Sequence, residues 1–223
     1  MQFHDYPDRE MLMLRLAQRI ASELGEVLRA QGRATLSVPG GTTPGPVFDT
    51  LSGADLDWAN VAIVLNDERW VPEDSPRSNT RLLRERLLVG RAAVATLLPL
   101  RMTAPTPEDG LEALSAGLVA HLPISVLLLG MGEDMHTASL FPGADHLDAA
   151  LAKDAPPLMA MRAEAASEPR ITLTAPVLQD ALRVHVLITG AAKRAVLEQA
   201  RKLPPRDAPI ACILDQAQVH WAG

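Results

Sequence analysis

A single cysteine, Cys212, stands in a chain of 223 residues, so an internal disulfide is impossible and clustered-thiolate zinc or iron–sulfur sites are excluded. Aromatic residues amount to only 3%, which leaves little material for the stacking platforms that bind single-stranded nucleic acid or sugar rings. Basic charge is also short: 21 Lys+Arg against 27 Asp+Glu give a formal charge of -6. Duplex binding needs a concentrated basic face to displace counterions, so no nucleic-acid partner is expected, although a local basic pocket for a small anion fits the same total. No stretch approaches the roughly 20 apolar residues of a membrane span. The opening MQFHDYPDRE carries charge where a signal peptide needs an apolar core. The expectation is a soluble cytoplasmic protein with no membrane partner.

What is present is a globular balance, 48% hydrophobic and 22% charged, with a core resting on Leu, Val, Ile, Ala and eight Met. The length fits one core, and residues 1–223 are read as a single α/β domain. Leu12, Leu16, Ile20, Leu24, Val27 and Leu28 recur at helical spacing from about Arg9 to Ala30, with Gly32 in the turn that ends the segment. Buried strands are expected at Ala34–Val38, Val61–Leu65, Ile124–Gly130 and Val184–Gly190, with shorter ones at Thr96–Leu98 and Leu158–Met161. Helices are expected near Pro44–Leu51, after Ser78 as N-cap, after Pro107, and from Ala191 to Arg201. Ile210–Leu214 and Val219–Trp221 read as a last strand or two, which puts Cys212 in a strand as an inert thiol. Residues 144–168 give no clear pattern. This alternation predicts a three-layer α/β fold, with a mostly parallel sheet and helices on both faces. Ligands of open α/β sheets bind at the carboxyl ends of the strands, so the loops there carry the interest.

Three loops are chemically rich. Pro39-Gly40-Gly41-Thr42-Thr43-Pro44-Gly45 offers converging backbone N–H groups and two hydroxyls at a helix start, suited to a phosphate or a polyhydroxylated ligand. It also fits a plain glycine turn with a helix cap. It matches neither the dinucleotide fingerprint nor the nucleotide-triphosphate loop. Asn66-Asp67-Glu68-Arg69-Trp70 places polar groups directly after a buried strand, where they are not expected to enter the core. Asp67 suits hydroxyls or base chemistry and Arg69 suits an anion; a solvated loop with an internal ion pair fits equally. In Gly130–Gly143, Asp134 and His136 lie two residues apart, so the acid orients the imidazole only if the chain turns between them. Ser139 lacks a Gly-x-Ser-x-Gly setting and is not read as a nucleophile; Ala138-Ser139-Leu140 looks like a helix start. Arg170 and Lys193 are isolated cations, readable as anion ligands or as surface charge. The remaining histidines show no ligand spacing; His185, between Val184 and Val186, is placed at a layer boundary.

Taken together, Gly40-Gly41-Thr42-Thr43-Pro44, Asp67-Glu68-Arg69-Trp70-Val71-Pro72, Ser78-Asn79 and Gly130-Met131-Gly132-Glu133-Asp134-Met135-His136-Thr137-Ala138-Ser139-Leu140-Phe141-Pro142-Gly143 resemble the 6-phosphogluconolactonase family. Pro169-Arg170-Ile171-Thr172-Leu173-Thr174 and Gly190-Ala191-Ala192-Lys193 continue the match in order, over about residues 10 to 220. The related glucosamine-6-phosphate deaminases typically carry Asp-Glu-Tyr and His-Ile-Ala-Phe-Asn-Glu-Pro. Here the corresponding runs are Asp67-Glu68-Arg69 and His136-Thr137-Ala138-Ser139-Leu140-Phe141-Pro142, without the Asn-Glu pair. A deaminase-like enzyme and a non-catalytic sugar-phosphate binder remain the alternatives.

The resemblance implies hydrolysis of a phosphorylated sugar lactone, with His136 and Asp134 as the catalytic pair. It implies Gly40, Gly41, Thr42, Thr43, Asp67, Arg69, Arg170 and Lys193 as substrate-binding residues. No metal or cofactor is expected, because a lactone carbonyl is already electrophilic. A monomer or weak homodimer is expected. Two positions depart from the family pattern. Pro39 stands where Ser is usual and loses an N–H and a hydroxyl. Met135 stands where Gly is usual, which disfavours a left-handed backbone.

Overall fold

The expected alternation is realised in a computed structural model, which describes all 223 residues. Strand β1 (Gln2–Asp5) leads into α1 (Arg9–Gln31), whose Asp8 cap accepts from the Met11 N–H at 2.7 Å. Leu12, Leu16, Ile20 and Leu24 form its buried stripe, and Gly32 ends it in the left-handed conformation at φ 73°. The chain continues through β2 (Ala34–Val38), α2 (Gly45–Ser52), β3 (Val61–Leu65), β4 (Asp67–Arg69) and α3 (Asn79–Arg86). Next come β5 (Thr96–Leu98), α4 (Leu111–Val119), β6 (Val126–Gly130), α5 (Leu147–Leu151), β7 (Leu158–Ala163) and β8 (Ala166–Leu173). The chain closes with α6 (Ala175–Gln179), β9 (Val184–Thr189), α7 (Ala191–Ala200), α8 (Ala211–Leu214) and β10 (Gln218–Ala222). No helix is long and apolar enough to cross a membrane.

Seven strands form one parallel sheet in the order β1-β10-β9-β6-β2-β3-β5, flanked by helices. Every residue of β2 and β3 is buried, as expected for strands covered on both faces. From β2 the chain moves outward through β3 to β5; from β6 it moves the opposite way through β9 to β10. The loops that follow β2 and β6 therefore diverge across a crevice between neighbouring strands, the position where open α/β sheets take ligands. They are the Gly40-Gly41 loop and the His136 loop.

A second, antiparallel sheet, β4-β8-β7, stands beside this crevice and was not expected from the sequence. It takes in the end of the stretch that gave no clear pattern, with β7 covering the expected strand at Leu158–Met161. It also corrects the reading of Asn66-Asp67-Glu68, because all three are buried, at 0%, 6% and 1% exposure. Hydrogen bonds offset their desolvation. Asn66 accepts from Ser37 Oγ at 2.6 Å and donates to the Leu128 carbonyl at 2.8 Å. Glu68 accepts from the backbone N–H groups of Arg69, Asn79 and Thr80 at 2.7–2.8 Å and from Ser78 Oγ at 3.1 Å. It thereby caps α3 from outside the helix.

Two other expectations are corrected. Ile210–Leu214 is not a strand: Ala211–Leu214 is α8, one helical turn after Pro209, too short to show periodicity. Cys212 lies there partly buried, and burial pushes its thiol up to about 12, so it is inert for a different structural reason. Nor is Ala138-Ser139-Leu140 a helix start. It is a tight turn in which Thr137 and Leu140 bridge and Ala138 takes φ 49°. His185 is fully buried in a chain of rings: its Nε2 meets Glu23 at 2.7 Å, its Nδ1 meets His220 at 3.0 Å, and His220 Nδ1 meets the Tyr6 hydroxyl at 2.9 Å.

Candidate active site

The crevice holds a cleft of about 230 Å³. Its walls include Gly40, Gly41, Thr43, Asp67, Arg69, Asn79, Gly132, His136, Ala138, Arg170 and Lys193. Three cations thus face one carboxylate, inside a chain whose total charge is negative. The arrangement focuses positive potential on a small ligand.

β6 delivers the histidine loop. Glu133 and Asp134 turn, the His136 carbonyl accepts from the Gly132 N–H at 3.0 Å, and the Gly132 carbonyl accepts from Met135 at 3.1 Å. This closure brings Asp134 back onto the ring, with Oδ1 2.5 Å from His136 Nδ1 and 3.2 Å from its backbone N–H. The chain does turn between them, the condition the spacing imposed. Burial opposes ionisation of Asp134, but the hydrogen bonds and charge of His136 outweigh it and hold the carboxyl below its usual range. A carboxylate on Nδ1 fixes the proton there and leaves Nε2 as a proton acceptor. The closure requires Gly132, because a Cβ there would lie 2.2 Å from His136 Nδ1 and 2.4 Å from Asp134 Oδ1. Met135 does take the left-handed backbone that Gly would favour, at φ 68°, with its carbonyl held by the Ile210 N–H at 3.1 Å.

The small sheet delivers the arginines. Arg69 on β4 and Arg170 on β8 are directly opposed across an antiparallel ladder, a pairing that repels unless an anion lies between or beside them. Asp67 supplies part of that charge, 3.3 Å from Arg170 Nη1. Arg69 Nη1 donates to the Arg77 carbonyl at 2.6 Å, and the Nε groups of both arginines have no protein acceptor. Lys193 enters from the first turn of α7, with Nζ donating to the Met131 carbonyl at 2.7 Å and two N–H bonds to spare. In the glycine loop, the N–H groups of Gly40, Gly41, Thr42 and Thr43 donate to no protein acceptor.

The structure therefore brings together nearly all the residues singled out in the sequence. Thr42 is the partial exception: it is exposed and lines an adjoining groove with Arg9 and Thr50, not the main cleft. Asp134 touches His136 without lining the cleft wall itself. Sequence reasoning assigned no role to two further residues. Asn79, 4% exposed, reaches the cleft from the first turn of α3 and donates to the Asp67 carbonyl at 3.0 Å. Its side chain explains the glycine loop, since a Cβ on Gly40 would lie 2.0 Å from Asn79 Oδ1. Phe141 packs its ring 4.3 Å from that of His136 and 5.3 Å from the Arg170 guanidinium. In sequence Asn79 reads as a helix start after the Ser78 cap, and Phe141 stands out only as part of the Gly130–Gly143 run. No group of three or more His, Cys, Asp or Glu side chains is placed to hold a metal ion.

Known proteins resemble this chain over nearly its whole length. A family model described as glucosamine-6-phosphate isomerases/6-phosphogluconolactonase matches residues 7–221. A 6-phosphogluconolactonase of Rhizobium meliloti is 40% identical, over 98% of this chain and 97% of the relative. One from Pseudomonas aeruginosa is 38% identical, over 92% and 88%. Among solved structures, a 6-phosphogluconolactonase from Shewanella baltica superposes with a TM-score of 0.97 at 35% identity, over 100% of this chain and 98% of the other. A monomeric glucosamine-6-phosphate deaminase shares the fold with a TM-score of 0.80 at 17% identity, over 100% and 97%. The chain belongs to the glucosamine-6-phosphate isomerase/6-phosphogluconolactonase family.

Proposed function

We propose that the cleft hydrolyses 6-phospho-D-glucono-1,5-lactone to 6-phospho-D-gluconate, a step of the oxidative pentose phosphate pathway. The observation that carries the reading is the His136–Asp134 pair at the edge of a cleft lined by Arg69, Arg170 and Lys193. The cations hold the phosphate through charge-assisted bonds and so fix C1 relative to His136. His136 Nε2 takes a proton from water as the water oxygen bonds to C1 and the carbonyl electron pair moves to oxygen. The tetrahedral intermediate collapses with cleavage of the bond from C1 to the ring oxygen, and the imidazolium returns its proton to that oxygen. Asp134 orients the ring and stabilises its charged form. The unpaired N–H groups of Gly40 and Gly41 are the donors suited to the oxyanion. No covalent intermediate is required, and Ser139 is fully buried outside the cleft lining.

His136→Ala tests this reading. It is expected to reduce kcat by about 10²–10⁴, the usual contribution of a positioned base, while binding of 6-phosphogluconate is retained. Equal loss of turnover and binding in a folded variant counts against the assignment. Lys193→Ala and Arg170→Ala are expected instead to erode discrimination between phosphorylated and unphosphorylated lactone. Ammonia release from glucosamine 6-phosphate would favour the deaminase alternative. We also propose a soluble cytoplasmic enzyme acting as a monomer or weak homodimer, without nucleic-acid or membrane partners; sedimentation equilibrium tests the stoichiometry.

A further inference from the structure

Ser139 is fully buried one turn beyond the histidine loop, yet its hydroxyl is not spent on its own loop. Oγ donates to Asp67 Oδ2 at 2.5 Å, 72 residues away in sequence. The same Oδ2 accepts from Arg170 Nη1 at 3.3 Å, a long and single contact for a carboxylate and a guanidinium that are both nearly buried. Such pairs ordinarily close to a bidentate fork with each bond below about 3 Å. The backbone around Ser139 is pinned independently. Its N–H donates to Thr172 Oγ1 at 3.1 Å, Thr137 Oγ1 donates to the Gly130 carbonyl at 2.9 Å, and the Leu140 N–H donates to the Thr137 carbonyl at 2.9 Å. These bonds sustain the left-handed Ala138, and they set where the hydroxyl points.

We infer that Ser139 is a positioning residue for phosphate recognition, holding Asp67 back from Arg170 so that the guanidinium stays open to the substrate. With Oδ2 engaged by the hydroxyl, and Asn79 Nδ2 3.5 Å from Oδ1, the carboxylate is restrained from rotating into a two-pronged pair with Arg170. Removal of the hydroxyl frees Asp67 to close on Arg170, and it then competes with the incoming phosphate. The contact also ties the loop that carries His136 to the sheet that carries Arg170. Ser139 touches neither the cleft nor the reacting atoms, so its effect passes through Asp67 and Arg170.

The inference rests on the functional reading above, and its test separates the two. Calorimetry measures the dissociation constant of 6-phosphogluconate, and initial rates on the phosphorylated lactone give kcat and KM. Ser139→Ala is expected to raise both KM and that dissociation constant about tenfold, with kcat within twofold. Ser139→Thr, which keeps the hydroxyl, is expected to recover at least threefold of that loss. In an Arg170→Ala background, Ser139→Ala is expected to change the dissociation constant less than twofold. A fall in kcat with unchanged binding overturns the inference, as does a full tenfold effect persisting without Arg170. Should the alanine variant not fold, Ser139→Cys carries the same expectation, because a thiol is a weak donor. A wild-type protein that binds 6-phosphogluconate but hydrolyses no lactone defeats the functional reading alone, and the binding arm still decides the role of Ser139.

Discussion

Asp134→Asn separates the two contributions of the carboxylate, geometry and charge. Asp134 Oδ1 accepts from both the backbone N–H and Nδ1 of His136, at 3.2 Å and 2.5 Å. The amide oxygen of Asn accepts the same two bonds, so the ring keeps its orientation and its tautomer. What is lost is the negative charge beside the imidazolium that forms when water is deprotonated. A hydrogen bond to a charged partner contributes about 1.5–3 kcal/mol. The Asp134 side chain is 43% exposed and that of His136 30%, so solvent screening places the expected effect toward the lower half of that range. The loss in kcat is then about 10- to 50-fold, at about 1.4 kcal/mol per factor of ten. KM is expected to stay within twofold, since none of the phosphate-facing cations touches Asp134. Asp134→Ala removes geometry as well and is expected to lose at least tenfold more. Initial rates with freshly made lactone, corrected for spontaneous opening, measure both. An Asn variant with more than half the wild-type kcat, or one whose defect lies in KM, refutes this division of labour.

The remaining expectations follow from single contacts. Gly132→Ala places a Cβ 2.2 Å from His136 Nδ1, so the His–Asp pair must separate; kcat is expected to fall about 100-fold or more, read against the melting temperature. Met135→Val forces a β-branched residue into φ 68° and is expected to cost about 1–2 kcal/mol of stability by denaturant titration. Met135→Gly is expected to keep kcat within threefold, because Gly132 and Ile210 already hold the loop; a large gain in rate would show instead that Met135 restrains it. Acid sensitivity is expected from His220. Burial, reinforced by His185, His4 and Arg19, holds its folded pKa down to about 2, whereas the unfolded imidazole titrates near about 6.5. Between these values the unfolded chain binds a proton that the folded chain refuses. Stability therefore falls as pH drops below about 6.5, by about 1.4 kcal/mol per unit for this site. Urea midpoints across pH 5 to 7 measure the slope, and His220→Gln is expected to flatten it; equal slopes in both proteins would remove His220 as the cause.

The parallel core was legible because its strands are continuously apolar and its helices keep one stripe, patterns that local sequence records. Val61–Leu65 is reproduced residue for residue, and Arg9–Gln31 extends the expected helix by one residue. The small sheet was legible only in β7, expected at Leu158–Met161, because β4 is three polar residues and β8 contains Pro169; neither of those alternates cleanly. Its buried carboxylates are stabilised by distant partners, Ser78 for Glu68 at 10 residues and Arg170 for Asp67 at 103. No local pattern records a bond of that span. The histidine and glycine loops stood out because polar residues directly follow buried strands. Asn79 did not, since the residue after a helix cap has an ordinary explanation. The chain of Glu23, His185, His220 and Tyr6 was hidden because it is assembled from α1, β9, β10 and the segment after β1, far apart in sequence.

The most direct measurement is hydrolysis of freshly generated 6-phosphogluconolactone by the purified protein, against spontaneous opening at the same pH and against unphosphorylated gluconolactone in parallel. Catalysis by the His136–Asp134 pair in a phosphate-binding cleft predicts rapid hydrolysis of the phosphorylated lactone and much slower turnover of the other. Folded protein that binds 6-phosphogluconate yet adds no rate above background would contradict it, and would direct attention to Pro39 and Met135, where this chain departs from the family pattern.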